Sequence, residues 1–241
     1  MKLKNIFLRK IICPICNKTF ETPCIKVNIP RISSKDSDFF IRYSVENPYF
    51  YDVWICPTCG YSALKADFHK IRNFQKKLII EKITPKWVNR IYSLPYDENI
   101  AIEKYKLALL SAITIESNSS TKATICLKIA WMYRLLDDTE KEKIFLSQAV
   151  TLFEDTYLKE SLPSYGLDRF SIMFLIGELN RRLNNNDTAL RWFSEVITSM
   201  GASQKVKEMA RDGKDKIKEG KIWIYFPEKR IETLKNPKLS P

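Results

Sequence analysis

Two short segments of the 241-residue chain carry residue types at a spacing that suits metal chemistry. Cys13-Pro14-Ile15-Cys16-Asn17 and Cys56-Pro57-Thr58-Cys59-Gly60 are two copies of the same turn. Two residues between cysteines let both sulfurs reach one ion from a tight knuckle, and four thiolates complete the tetrahedral shell of a zinc ion. Asn17 and Gly60 follow the second cysteine of each pair. They are the residue types that best tolerate left-handed backbone, so amides can turn toward the sulfurs. The spacing predicts one structural zinc held by Cys13, Cys16, Cys56 and Cys59, with no position left for a catalytic water. The 39 residues between the pairs exceed the ~15 to 20 of ribbon-type sites, which predicts an inserted hairpin or loop.

Other readings of the reactive residues are weaker. A pair of redox dithiols needs a thioredoxin-like βαβ context, which the surrounding pattern does not supply. Cys24, in Thr-Pro-Cys-Ile, is a substitute ligand or, more simply, a small buried residue. His69 is the single histidine and reads as a helix-surface residue, while Cys126 reads as core packing. One histidine with no partnered Cys or Ser nucleophile gives no catalytic constellation, so the expectation is a protein that is not an enzyme.

The elements that position the knuckles differ from those that follow. From Cys13 to about Ala63 the chain is rich in turns, with Pro14, Pro23, Pro30, Pro48 and Pro57, and holds strand-like stretches such as Tyr51-Asp52-Val53-Trp54-Ile55. The aromatic residues here, Phe39, Phe40, Tyr49, Phe50, Tyr51 and Trp54, either stack bases together with Arg31, Lys35 and Arg42 or form the module's own core. The core reading is preferred because so small a domain needs every ring it has. After Ala66 the spacing turns helical until Pro85, and a second break falls at Leu94-Pro95. We read 1–66 as a zinc-binding module, 67–96 as a linker helix region, 97–220 as a helical domain and 221–241 as a C-terminal tail.

From Asp97 onward six helices follow one another with short polar breaks. The first is expected to bury Ile102, Tyr105, Leu109, Ala112 and Ile113, and the last to stop before Gly220, ahead of an apolar run at 222–226. Gly177, Ala189, Phe193 and Val196 match the small, small, aromatic and small-or-apolar offsets of a tetratricopeptide repeat. Ala130 and Gly177 are 47 apart, longer than that repeat's usual ~34 residues. The fold class is therefore mainly α: a small zinc-knuckle α+β module followed by a tetratricopeptide-like helical stack, with an unrelated antiparallel bundle as the alternative.

No run of eighteen apolar residues is present, and the apolar start is cut by Arg9 and Lys10, which argues against a membrane span or an export signal. A cytoplasmic, reducing location is expected, and thiolates survive there. The net charge of +12 is uneven. Residues 1–75 carry 12 basic and 6 acidic groups and residues 205–241 carry 11 and 6, whereas 99–204 carry 12 and 13. Basic ends suit an acidic partner such as nucleic acid, though charge alone supports only non-specific attraction.

Four segments together resemble a known bacterial family, the domain of unknown function 2225. They are Asp36-Ser37-Asp38-Phe39, Tyr51 to Tyr61 with the second knuckle, Ala130-Trp131-Met132-Tyr133-Arg134, and Ile176-Gly177-Glu178-Leu179-Asn180-Arg181-Arg182-Leu183. The resemblance implies a cysteine-knuckle module fused to tetratricopeptide-like helices, and no activity. Asn17 departs from the glycine usual after the family's first knuckle. The functional expectation is an adaptor that binds a protein or peptide partner in a helical groove; the alternatives are a nucleic-acid-associated protein and, less favoured, a thiol redox protein.

Overall fold

The computed structural model describes residues 2–225. Strand β1 (Ile6–Ile12) pairs antiparallel with β2 (Thr19–Ile25), from Ile6↔Ile25 to Ile12↔Thr19, and the first cysteine turn closes the hairpin. β5 (Val53–Ile55) and β6 (Ser62–Leu64) form a second hairpin, closed by the second cysteine turn. Between them lies a third hairpin of β3 (Ile32–Lys35) and β4 (Ile41–Tyr43), which with β2 is the insertion that the long cysteine spacing requires. Each sheet has two strands, and a two-stranded hairpin is marginal in water by itself. Their stability has to come from what they pack on.

That packing is a shared core. Ile11, Phe20, Trp54, Tyr61, Phe68, Ile71 and Ile115 are buried with Cys13, Cys56 and Cys59, and Ile79 and Ile83 join them from α1 (Asn73–Lys82) and its end. The stretch read as a linker helix is thus a turn through residues 65–72 and then α1, whose apolar side belongs to the cysteine core. A second ring cluster forms where Phe40 stacks on Trp131 at 5.2 Å and Tyr49 lies 5.3 Å from the same ring. Of the aromatic residues between the knuckles, Phe40, Tyr51 and Trp54 are buried in the core, while Phe39, Tyr49 and Phe50 are half-buried.

Helices α2 (Glu98–Thr114), α3 (Ser119–Leu135) and α4 (Thr139–Lys159) follow. Asp97 caps α2 by accepting from the Ile100 amide at 2.8 Å, as its position ahead of the helix suggests. The buried side of α2 comprises Ala101, Ile102, Lys104, Tyr105, Ala108, Ser111 and Ala112, while Ile113 is 57% exposed, so the expected face is rotated. The small residues Ala101, Ala108 and Ser111 admit the strands closely, and the Ser62 amide donates to Ser111 Oγ at 3.2 Å. α3 is covered on both sides, with Ile125, Cys126, Leu127, Ile129, Ala130, Trp131 and Met132 all buried.

By packing, the chain divides into two compact units, Met1–Arg169 and Phe170–Pro241. Of the stretch read as a helical domain over 97–220, α2, α3 and α4 fall in the first unit. The second unit holds α5 (Arg169–Arg182), α6 (Asn186–Thr198) and α7 (Gln204–Tyr225). Ala189, Phe193 and Val196 are buried there as expected, and Phe193 lies against both Gly177 and Gly213. α7 does not stop at Gly220 but runs through Tyr225, since one glycine inside a helix costs only about 1 kcal/mol. Residues 226–241, which include Phe226 and the tail, lie outside the described residues. The protein is mainly α with a small antiparallel strand module, and among the described residues no helix is long and apolar enough to cross a membrane.

Candidate metal centre

The two cysteine turns are near copies in structure as in sequence. In the first, Cys13 N donates to Lys18 O at 3.0 Å and Asn17 N to Cys13 O at 3.1 Å. In the second, Cys56 N donates to Tyr61 O at 2.9 Å and Gly60 N to Cys56 O at 3.0 Å. Asn17 has φ 56° and Gly60 φ 77°, the left-handed backbone their residue types tolerate. The Ile15 amide points at Cys13 Sγ at 3.5 Å, as a knuckle requires.

These turns bring Cys13, Cys16, Cys56 and Cys59 together with their four sulfurs all within 4.8 Å of one another. Cys13 Sγ lies 3.6 Å from Cys59 Sγ, and Cys16 Sγ lies 3.5 Å from Cys56 Sγ. Bonds of about 2.3 Å from a tetrahedral ion to four sulfurs correspond to sulfur–sulfur edges of about 3.8 Å. The donor set therefore fits one metal ion. Without a cation the four thiols could not all ionise. Hydrogen bonds shared with Cys13 and Cys59 hold the Cys56 thiol down, while its hydrogen bond to Cys56 pushes Cys13 up. A divalent ion removes that conflict because each of the four sulfurs then faces positive charge.

Residues later in the chain brace the second knuckle. Trp87 Nε1 donates to Pro57 O at 2.8 Å, and Thr84 Oγ1 donates to Cys59 O at 3.0 Å. The Trp87 ring lies over Gly60, where a Cβ would come within 2.6 Å of it. Sequence reasoning missed Trp87, and only its place two residues after Pro85, outside any periodic pattern, marks it. The other thiols do not join the cluster: Cys24 is half-buried against the core, and Cys126 is buried in α3, 3.7 Å from Gln148 Oε1. His69 is exposed and edge-on to Phe68 and Trp54.

The distinctive charged motifs form a separate network. Arg134 Nη2 reaches Asp38 at 2.7 Å, Nη1 reaches Asp36 at 2.9 Å and Nε reaches Glu142 at 2.7 Å. Trp131 Nε1 donates to the fully buried Asp38 at 3.0 Å, and Arg42 holds the far side of Asp36 at 2.8 Å. Burial alone would lower the Arg134 pKa, but Asp38 and Glu142 raise it well above the usual arginine value, so the cation is permanent. This network fastens the β3–β4 hairpin to α3. In the second unit Glu178, 1% exposed, accepts from Arg181 at 2.7 Å and from Arg182 at 3.0 Å, the intrahelical pairing its spacing suggests.

Comparison with known proteins fits this architecture. A protein of Borreliella burgdorferi, itself described as an uncharacterized protein, is 23% identical over an alignment covering 97% of this chain and 99% of the relative. No solved structure matches the chain. The model of one family matches residues 6–217, a span that takes in the four clustered cysteines, the Arg134 network and the Glu178 helix. The chain belongs to that bacterial family, described as uncharacterized protein conserved in bacteria (DUF2225).

Proposed function

We propose that the ion is zinc, that it is structural, and that the protein is a cytoplasmic, non-enzymatic adaptor binding a protein or peptide through a groove of tetratricopeptide-like helices. The observation that carries this reading is the closed donor set. Four sulfurs within 4.8 Å of one another can fill a tetrahedral shell, and an ion held by all four would keep no open position for water or substrate. Soft sulfur donors in tetrahedral array favour zinc over hard cations. What the ion supplies is folding energy: a structural zinc is worth about 10 to 16 kcal/mol, which matches or exceeds the whole stability of a small domain.

The adaptor reading draws on the helices. Phe193 of α6 packs on Gly177 of α5, where an added Cβ would approach the ring to 2.8 Å, and this small-against-aromatic contact supports tetratricopeptide-like pairing. Stacked helix pairs of that kind offer concave surfaces to extended partners. The nucleic-acid alternative rests on the basic excess at the two ends of the sequence.

The test is to purify the zinc-loaded full chain from its native bacterium after mild cross-linking. The recovered partner is then titrated beside random-sequence RNA at several salt concentrations. The adaptor reading expects one protein partner whose affinity changes little with salt. RNA binding that falls by orders of magnitude between about 50 and 200 mM salt, with no protein partner recovered, would replace it with the nucleic-acid reading.

A further inference from the structure

Strand β1 has an open edge that neither the metal nor the helices use. β1 pairs with β2 alone in a two-stranded sheet. Beyond that ladder, no backbone group of Phe7–Ile12 makes a hydrogen bond among the described residues. Phe7, Leu8, Arg9 and Lys10 are all exposed, whereas Ile11 is buried in the cysteine core, so the strand is open along its side and on the face of Leu8, Lys10 and Ile12, while its other face packs inward at Ile11. Three of its apolar side chains stand in solvent, with Phe7 41%, Leu8 56% and Ile12 61% exposed. A seven-residue strand in this state is a template for pairing with another strand, a liability that proteins ordinarily blunt or cover.

The charge around this edge is predominantly positive, with Glu21, exposed on β2, directly across the ladder from Lys10. Lys4, Arg9, Lys10, Lys18 and Lys26 are exposed, and Glu21 is the single acidic residue among residues 1–35. Arg9 sits 5.9 Å over the Trp54 ring. Because side chains alternate, Arg9 shares a face with Phe7 and Ile11, while Lys10 shares the other with Leu8 and Ile12. A strand laid beside β1 would therefore meet one cation on each face, flanked by apolar side chains.

We propose that β1 accepts an extended acidic segment of a partner protein as a third strand, its preferred sequence being two consecutive acidic residues between apolar pairs. Main-chain hydrogen bonds supply affinity and the alternating side chains supply selection. A second copy of this chain is the wrong occupant, since it would bring Arg9 and Lys10 against their own equivalents. Residues 226–241 also have the wrong sign, with four Lys or Arg against two Glu. Nucleic acid answers the cations but leaves the open main-chain edge unused. This surface is independent of the helical groove proposed above, and either can fail while the other stands.

The test is fluorescence anisotropy on the zinc-loaded full-length protein with a fluorescein-labelled peptide, Thr-Val-Val-Glu-Glu-Val-Val-Thr. The proposal expects saturable binding that weakens about tenfold in Lys10→Glu, where a facing charge pair becomes repulsive. Binding should vanish when alternate peptide nitrogens are methylated, which removes the donors a third strand needs. Unchanged circular dichroism and metal content of Lys10→Glu establish that the variant is folded, as expected at an exposed position. Three results would overturn the proposal: no saturation by the parent peptide, equal binding of the methylated peptide, or displacement of the parent peptide by an oligothymidine of about 20 nucleotides at stoichiometric concentration.

Discussion

Gly60 combines two constraints in one position. Its φ of 77° suits a residue without a Cβ, and the space where a Cβ would sit is filled by Trp87, 2.6 Å away. Left-handed backbone costs a Cβ-bearing residue about 1 to 2 kcal/mol, and displacing the ring breaks the hydrogen bond of Trp87 to Pro57 as well. Gly60→Ala is therefore expected to lower the stability of the zinc-loaded protein by about 2 kcal/mol or more in urea unfolding, whereas Asn17→Gly should change it by only a few tenths. Equal midpoints for Gly60→Ala and the parent protein would contradict this. Lys104 poses the opposite problem, a charge where none is wanted. It is 4% exposed on α2, with its ammonium 4.2 Å from the centre of the Tyr96 ring. Burial pulls its pKa down to about 7 from the 10.5 of a free lysine, against the opposing pull of Cys24 and Asp52. Between those values the unfolded chain binds more protons than the folded one, so this residue makes stability rise with pH. Lys104→Met should then be more stable than the parent near pH 7, with the gap closing toward pH 10. Paired urea titrations across that range check it; a gap that stays constant or widens would refute the assignment.

At the scale of elements, the β3–β4 hairpin depends on a helix almost a hundred residues away. Arg134 of α3 neutralises Asp36, Asp38 and Glu142, and Asp38 has no exposure to water. Removing the guanidinium takes away the cation shared by Asp38, Asp36 and Glu142 and leaves Asp36 its pairing with Arg42, a loss of about 3 to 5 kcal/mol. Arg134→Ala should show that loss, together with faster hydrogen exchange at the hairpin amides. Arg134→Lys should recover little of it, because a single ammonium cannot reach three carboxylates in the planar fork of an arginine. A destabilisation under about 1 kcal/mol would mean that the Phe40–Trp131 stacking, and not the ion network, holds the hairpin. The helices themselves show which local rules carry furthest. Asp97 caps α2 and Asp138 caps α4, as short acidic residues ahead of apolar periodicity should. The face of α2 is less legible, since its neighbours select the small residues Ala101, Ala108 and Ser111 over the larger Ile113, and periodicity favours size.

For the whole molecule, what could be read from the sequence was what is encoded locally. A Cys-x-x-Cys turn followed by Asn or Gly specifies its own geometry, so the two knuckles and their left-handed residues are visible without knowing the fold. The helical second half is equally plain from its spacing. What stayed hidden depends on partners remote in sequence: Trp87 closing over Gly60, Arg134 meeting Asp38, and the division of packing at residue 169 inside what reads as one helical run. Such pairings leave no periodic trace in either segment. X-ray absorption at the zinc edge of the purified chain measures directly whether one zinc ties both knuckles into one core, as we propose. It should find one zinc per chain with four sulfur neighbours at about 2.3 Å. Nitrogen or oxygen atoms in the inner shell, or two half-sites each filled by one pair of cysteines, would contradict it.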